Sequence, residues 1–170
     1  ANVELHDVRL VVGTKIEDTY EVLRSNWFGS LQGLHIDSYK KIKYVGGYKI
    51  KLKKSEKNKD LVISKKQKKE LWFVNIGGYN KCSMQEKHEF GLVVASSSTG
   101  AINIAKSKWL IGCQKKHKDD LDSLKILIDC DDCKLIKKVG SWEIELIKDN
   151  NCIEENNYPD WYGYRKIEKN

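Results

Sequence analysis

Slid against itself by 82 residues, the chain repeats: Glu4 to Asp37 aligns with Glu86 to Asp119 without a gap, and ten of the 34 positions are identical. Chance would give about two. The identical pairs are Glu4 with Glu86, His6 with His88, Leu10-Val11-Val12 with Leu92-Val93-Val94, Ser25 with Ser107, Trp27 with Trp109, Gln32 with Gln114, His35 with His117, and Asp37 with Asp119. All four histidines therefore occupy two equivalent slots. A chain built this way is expected to fold as two tandem, similar units.

The same register predicts the same elements twice. Val8 to Val12 and Phe90 to Ala95 are short apolar runs beside glycine and read as mostly buried strands. Tyr20, Leu23 and Trp27, with partners Ile102, Ala105 and Trp109, recur at three and four residues, the stripe of one amphipathic helix per copy. Thr14 and Thr99 are candidate caps, Gly29 and Gly112 candidate stops. The two helix tryptophans and Trp72 are expected in the core.

A hairpin follows each helix. Ser38 to Val45 leads through Gly46-Gly47 into the alternating Tyr48-Lys49-Ile50-Lys51-Leu52, and Gly140-Ser141 precedes Trp142-Glu143-Ile144-Glu145-Leu146. The offset there is 94, so the second copy carries about 12 extra residues, expected as an inserted loop around Cys130 to Cys133. Leu71 to Gly78 reads as the opening strand of copy two. Its counterpart in copy one would fall before Ala1: either the sequence is trimmed there, or copy one begins without its first strand and leaves an edge for another element to pair.

These elements give an α+β fold with two tandem pseudo-equivalent repeats, each about strand-strand-helix-hairpin, in mixed or antiparallel sheets with helices on one face. Residues 1–53 form the first repeat without its opening strand. Residues 54–70 form a lysine-rich hairpin tip and linker, 71–150 the second repeat, and 151–170 an aromatic C-terminal segment. In that last segment Tyr158 to Arg165 is expected to close an open core edge.

The net charge of +7 is concentrated. Lys49 to Lys69 holds ten lysines against Glu56 and Asp60, a local +8 that leaves the remainder near −1. Only Arg9, Arg24 and Arg165 are arginine, the side chain that forks onto phosphate and guanine, so the stretch reads as a solvated face before a nucleic-acid patch. Five irregularly spaced cysteines (82, 113, 130, 133 and 152) and no secretory pattern suit a reduced cytoplasmic setting. Cys130-Asp131-Asp132-Cys133 is a lone C-x-x-C, read as a surface turn, because structural zinc wants a second pair. No run is long enough for a membrane helix.

Several segments together, Glu4 to Gly13, Trp27-Phe28-Gly29, His35 to Tyr39, Val45 to Tyr48 and Leu71 to Tyr79, resemble the bacterial domain of unknown function 1543 family. That family is described with one or two copies of the domain per chain, which agrees with the internal repeat. The resemblance implies an architecture and no activity.

The candidate functional residues are Glu4, His6, Asp7, His35 and Asp37 in the first copy, and Glu86, His88, His117 and Asp119 in the second. Each histidine has a carboxylate one or two positions away. If the two slots of a copy meet, a His pair with acidic partners can bind a ligand or move protons; the alternative is a hydrogen-bonded part of the fold. A small-molecule or protein binding module is the leading expectation. The others are a hydrolase or acid/base enzyme and weak, salt-sensitive nucleic-acid binding through Lys49 to Lys69. No motif implies a cofactor or metal, no membrane partner is expected, and an open sheet edge offers a route to a homodimer.

Overall fold

A computed structural model describes residues 4–55, 68–79, 83–111, 128–150 and 158–167. In chain order they form a 3-10 turn (Ile16–Thr19), α1 (Tyr20–Asn26), β1 (His35–Tyr39), β2 (Tyr44–Val45), β3 (Tyr48–Lys54), β4 (Glu70–Gly78), β5 (Lys87–Ala95), α2 (Ser98–Lys108), β6 (Ile128–Leu135), β7 (Lys138–Val139), β8 (Trp142–Lys148) and β9 (Trp161–Lys166). Three sheets result, ordered β1-β9, β2-β3-β8-β7 and β5-β4-β6, and every pairing is antiparallel. The fold is α+β and dominated by sheet.

The central sheet joins the two hairpins through β3 and β8. Tyr48 pairs with Lys148, Lys51 with Glu145, and Lys54 with Trp142. At the 94-residue offset the first and last of these pairs exchange, while Lys51 and Glu145 map onto each other. The backbone bonds obey the same rule: Ser55 N–H donates to Ser141 O, and Asp149 N–H donates to Gly47 O, both at 3.0 Å. The ladder thus has a local pseudo-two-fold axis at Lys51 and Glu145. The turn before β3 needs positive φ at both central residues, which Gly46 (55°) and Gly47 (81°) supply without a Cβ penalty.

The main core lies under α2. Ala101 and Ala105 present small side chains, letting the helix sit close on Val74, Ile76, Val93 and Ala95, with Trp109 and Leu110 closing one end. Trp109 lies over Gly91; a Cβ there would come within 2.8 Å of the indole. At the 82-residue offset position 91 becomes Arg9, which pairs instead with Asp7. This explains why Trp27, expected in the core, is only half-buried, packed on Phe28 and donating its indole N–H to Ser30 O at 2.9 Å. Trp72 is half-buried as well, against the rim of the α2 core, with its indole N–H donating to Ala95 O.

Other expectations need correction. Val8 to Val12 forms no strand among the described residues, because the ladder that makes β5 a strand is its pairing with β4, and no described strand pairs with residues 4–13. Cys130 to Cys133 is not a turn or inserted loop but the middle of β6, which pairs with β4, and the two cysteines are half-buried against the α2 core. The extra residues of the second copy consequently fall before β6. Ser38 to Val45 does not run as one strand; β1 joins β9, while β2 belongs to the hairpin sheet.

The caps also shift. Ser97, not Thr99, caps α2 by accepting from Gly100 N–H. In the first copy the turn before α1 is capped by Asp18, whose carboxylate accepts from the Thr14 hydroxyl and from the Thr14 and Lys15 backbone N–H groups. Those bonds, the Thr14 hydroxyl foremost, hold its carboxyl below the usual range. α1 stops at Asn26, before Gly29; Gly112 lies outside the described residues, as does most of the 54–70 linker.

Candidate functional site

One strand and the irregular segment ahead of the 3-10 turn deliver the first-half cluster. β1 carries His35 and Asp37, and the register of β1 against β9 breaks between Ile36 and Ser38, so Asp37 has no cross-strand partner. The extra residue lies on β9, where Gly163 and Tyr164 face the single Asp37, and such a bulge re-aims the side chains around it. Asp37 Oδ1 lies 3.0 Å from His35 Nε2 and Oδ2 lies 3.6 Å from His6 Nε2. Glu4 makes a second bridge, with Oε1 at 3.5 Å from His35 Nε2 and Oε2 at 3.9 Å from His6 Nε2. Two imidazoles and two carboxylates therefore alternate around one ring of contacts.

His35 is the anchored member. Its side chain is 11% exposed, against 62% for His6. Its Nδ1 lies 2.8 Å from Gly33 O. A carbonyl only accepts, which assigns a proton to Nδ1; Nε2 faces two carboxylates, which when ionised also only accept, so that contact is favourable with a proton on Nε2 as well. The Tyr164 ring packs on the imidazole at a centroid distance of 4.0 Å and 31°. Asp7, also expected here, turns away: it accepts from Val8 N–H at 2.8 Å and pairs with Arg9.

The second half makes a related cluster with one substitution that the 82-residue register hides. His88 Nε2 lies 3.6 Å from Glu86 Oε2, and Nδ1 lies 3.1 Å from Asp131 Oδ2. Asp131 is the out-of-register residue where β6 meets β4 between Asn75 and Ile76, and at the 94-residue offset it is the equivalent of Asp37. Gly77 leaves the space: a Cβ there would fall 2.3 Å from Glu86 Oε1 and 3.1 Å from Asp131 Oδ2. The charge of Glu86 and a hydrogen bond to it push the neighbouring Tyr79 phenol up, with Asp131 adding to the effect. His117 and Asp119 lie outside the described residues.

Asp131 was within reach of sequence reading, had the 94-residue offset been carried back from the hairpin to Asp37. Tyr164 had no such signal, since β9 lies outside both repeats.

Among the described residues, no group of three or more His, Cys, Asp or Glu side chains could hold a metal ion. Burial foremost, then the charge of Asp132, pushes the Cys133 thiol up, away from the reactive thiolate. Part of the lysine stretch is neutralised in the sheet, where Lys53 Nζ lies 2.8 Å from Glu145 Oε1. No helix among the described residues is long and apolar enough to cross a membrane.

This architecture has known counterparts. The Domain of Unknown Function (DUF1543) family model matches residues 1–52 and 83–146, so the chain belongs to that family. Its fold is similar to the crystal structure of protein Il1583 from Idiomarina loihiensis, at 29% identity and a TM-score of 0.69, over 100% of this chain and 90% of that one. No curated protein matches it.

Proposed function

We propose that the chain is a small-molecule binding module built from two duplicated halves, with the ring of Glu4, His6, His35 and Asp37 as its ligand-contacting surface. The observation that carries this reading is the convergence of two imidazole Nε2 atoms on one carboxylate, Asp37, at 3.0 and 3.6 Å, in a cluster whose outer members are well exposed. Three of the four groups, Glu4, His6 and Asp37, are exposed, and surface ion pairs contribute little to the stability of a fold. Duplication is supported by the repeat and by the symmetric ladder between β3 and β8.

His6 is the discriminating residue, since its exposure separates binding from folding. His6→Ala should change stability by less than about 0.5 kcal/mol. A panel of amino acids, organic acids, amines and nucleotides, read on the ring signals of ¹³C-histidine-labelled protein, should contain a compound that moves His6 and His35 together. That compound should bind His6→Ala about tenfold more weakly. Equal binding to wild type and to the His6→Ala/Asp37→Asn double variant would overturn the reading.

An acid/base enzyme is the second reading, favoured by the meeting of both histidine slots of one half at Asp37. Conversion of the bound compound, lost in Asp37→Asn, would select it; recovery of the compound unchanged selects the binding module.

A further inference from the structure

We infer that Tyr164, on the C-terminal strand, is a positioning residue of the first-half site, so that β9 completes the site as well as the sheet. This rests on the reading of the Glu4, His6, His35 and Asp37 ring as a site. β9 stands beside β1 as β4 stands beside β6, and each ladder breaks register at the equivalent aspartate, Asp37 or Asp131. The two breaks differ in what they bring. Opposite Asp37, β9 has two residues out of register, Gly163 and Tyr164, and Gly163 takes a φ of 143°, a conformation that favours glycine.

The kink delivers the Tyr164 ring to the His35 imidazole at 4.0 Å, while the tyrosine itself stays 60% exposed. A side chain that open contributes little to a core. What it does cover is one face of His35, whose edge is already tied by the Gly33 carbonyl. Two constraints, one on the edge and one on the face, leave the ring a single orientation, with Nε2 on Asp37 and Glu4. In the second half no described aromatic ring stacks on His88, and the β4 position nearest the cluster is the bare Gly77.

The test compares Tyr164→Phe, Tyr164→Ala and, as a control on the same strand, the exposed Tyr162→Ala. The readout is the pair of His35 ring ¹⁵N shifts, which report the hydrogen bonding of each ring nitrogen, with the exchange rate of the Nδ1 proton. Tyr164→Phe and Tyr162→Ala should keep the wild-type pattern. Tyr164→Ala should move both shifts and speed proton exchange about tenfold, with the fold intact by its backbone spectrum. An unchanged His35 signature in Tyr164→Ala overturns the inference, and so does loss of the signature in Tyr162→Ala, which would mean that any disturbance of β9 suffices. These outcomes are independent of the ligand panel: if Tyr164→Ala moves the His35 shifts while the His6→Ala/Asp37→Asn variant binds normally, the ring reading fails and the positioning stands.

Discussion

The two halves of the chain start from similar sequence and solve packing differently. In the second half β4 lies between β5 and β6, and α2 seats two buried alanines and Trp109 on that sheet. In the first, residues 4–13 join no described ladder, Trp27 is half-buried, and the partner of β1 comes from the far end of the chain. The polar clusters run the other way. The first half gathers two histidines and two carboxylates, whereas the described part of the second gathers one histidine between two carboxylates. The larger buried core thus lies in the second half and the larger polar cluster in the first.

The largest test of this division is the tryptophan pair. Trp109→Ala empties a buried position above Gly91 and should cost about 3–5 kcal/mol. Trp27→Ala removes a half-buried ring with one hydrogen bond, and should cost less than about half as much. Urea denaturation of both variants decides the matter. Equal losses would mean that the first half buries its helix as deeply as the second, and the contrast would collapse.

The histidines should reverse the order. His35→Ala loses the bond to Gly33 and the stack on Tyr164 at a mostly covered position, a cost of about 1–2 kcal/mol. His88, with 47% of its side chain exposed, is held by two surface ion contacts, and His88→Ala should stay within about 0.5 kcal/mol. A larger loss at His88 would make the second cluster the structural one.

The contrast also explains what sequence reading reached and where it stopped. Local patterns served best where one element decides its own state: helices form at α1 and α2 and strands at β3 and β8, and Gly46 and Gly47 take positive φ, while Trp27 and Trp109 fall just past the helix ends and Leu52 is exposed. Patterns that need a partner did not transfer. Leu10-Val11-Val12 matches Leu92-Val93-Val94 residue for residue, yet only the second lies in a ladder, since a strand is a property of a pair. The candidate site shows the same split. Glu4, His6, His35 and Asp37 were apparent from the repeat, while Asp131 waited on the correct register of β6 and Tyr164 on a long-range pairing that no local periodicity encodes.

The smallest expected effect falls on the axis where the halves join. Glu145 faces Lys51 there and accepts a hydrogen bond from Lys53. That bond, with the charges of Lys53, Lys51 and Lys68, holds its carboxyl below the ordinary value of 4.5. A carboxyl depressed in the folded state contributes stability that is intact above its unfolded value and is lost as pH falls through the lower folded one. The window therefore lies below the ordinary carboxylate value. The pair is exposed and screened, so Glu145→Gln should lower the thermal midpoint by only about 1–2 °C near neutral pH. The gap to wild type should close as the pH is taken down through that window. A gap that persists in acid would mean that Glu145 acts through packing in the ladder rather than through its charge, and that the junction between the halves holds without the ion pair on its axis.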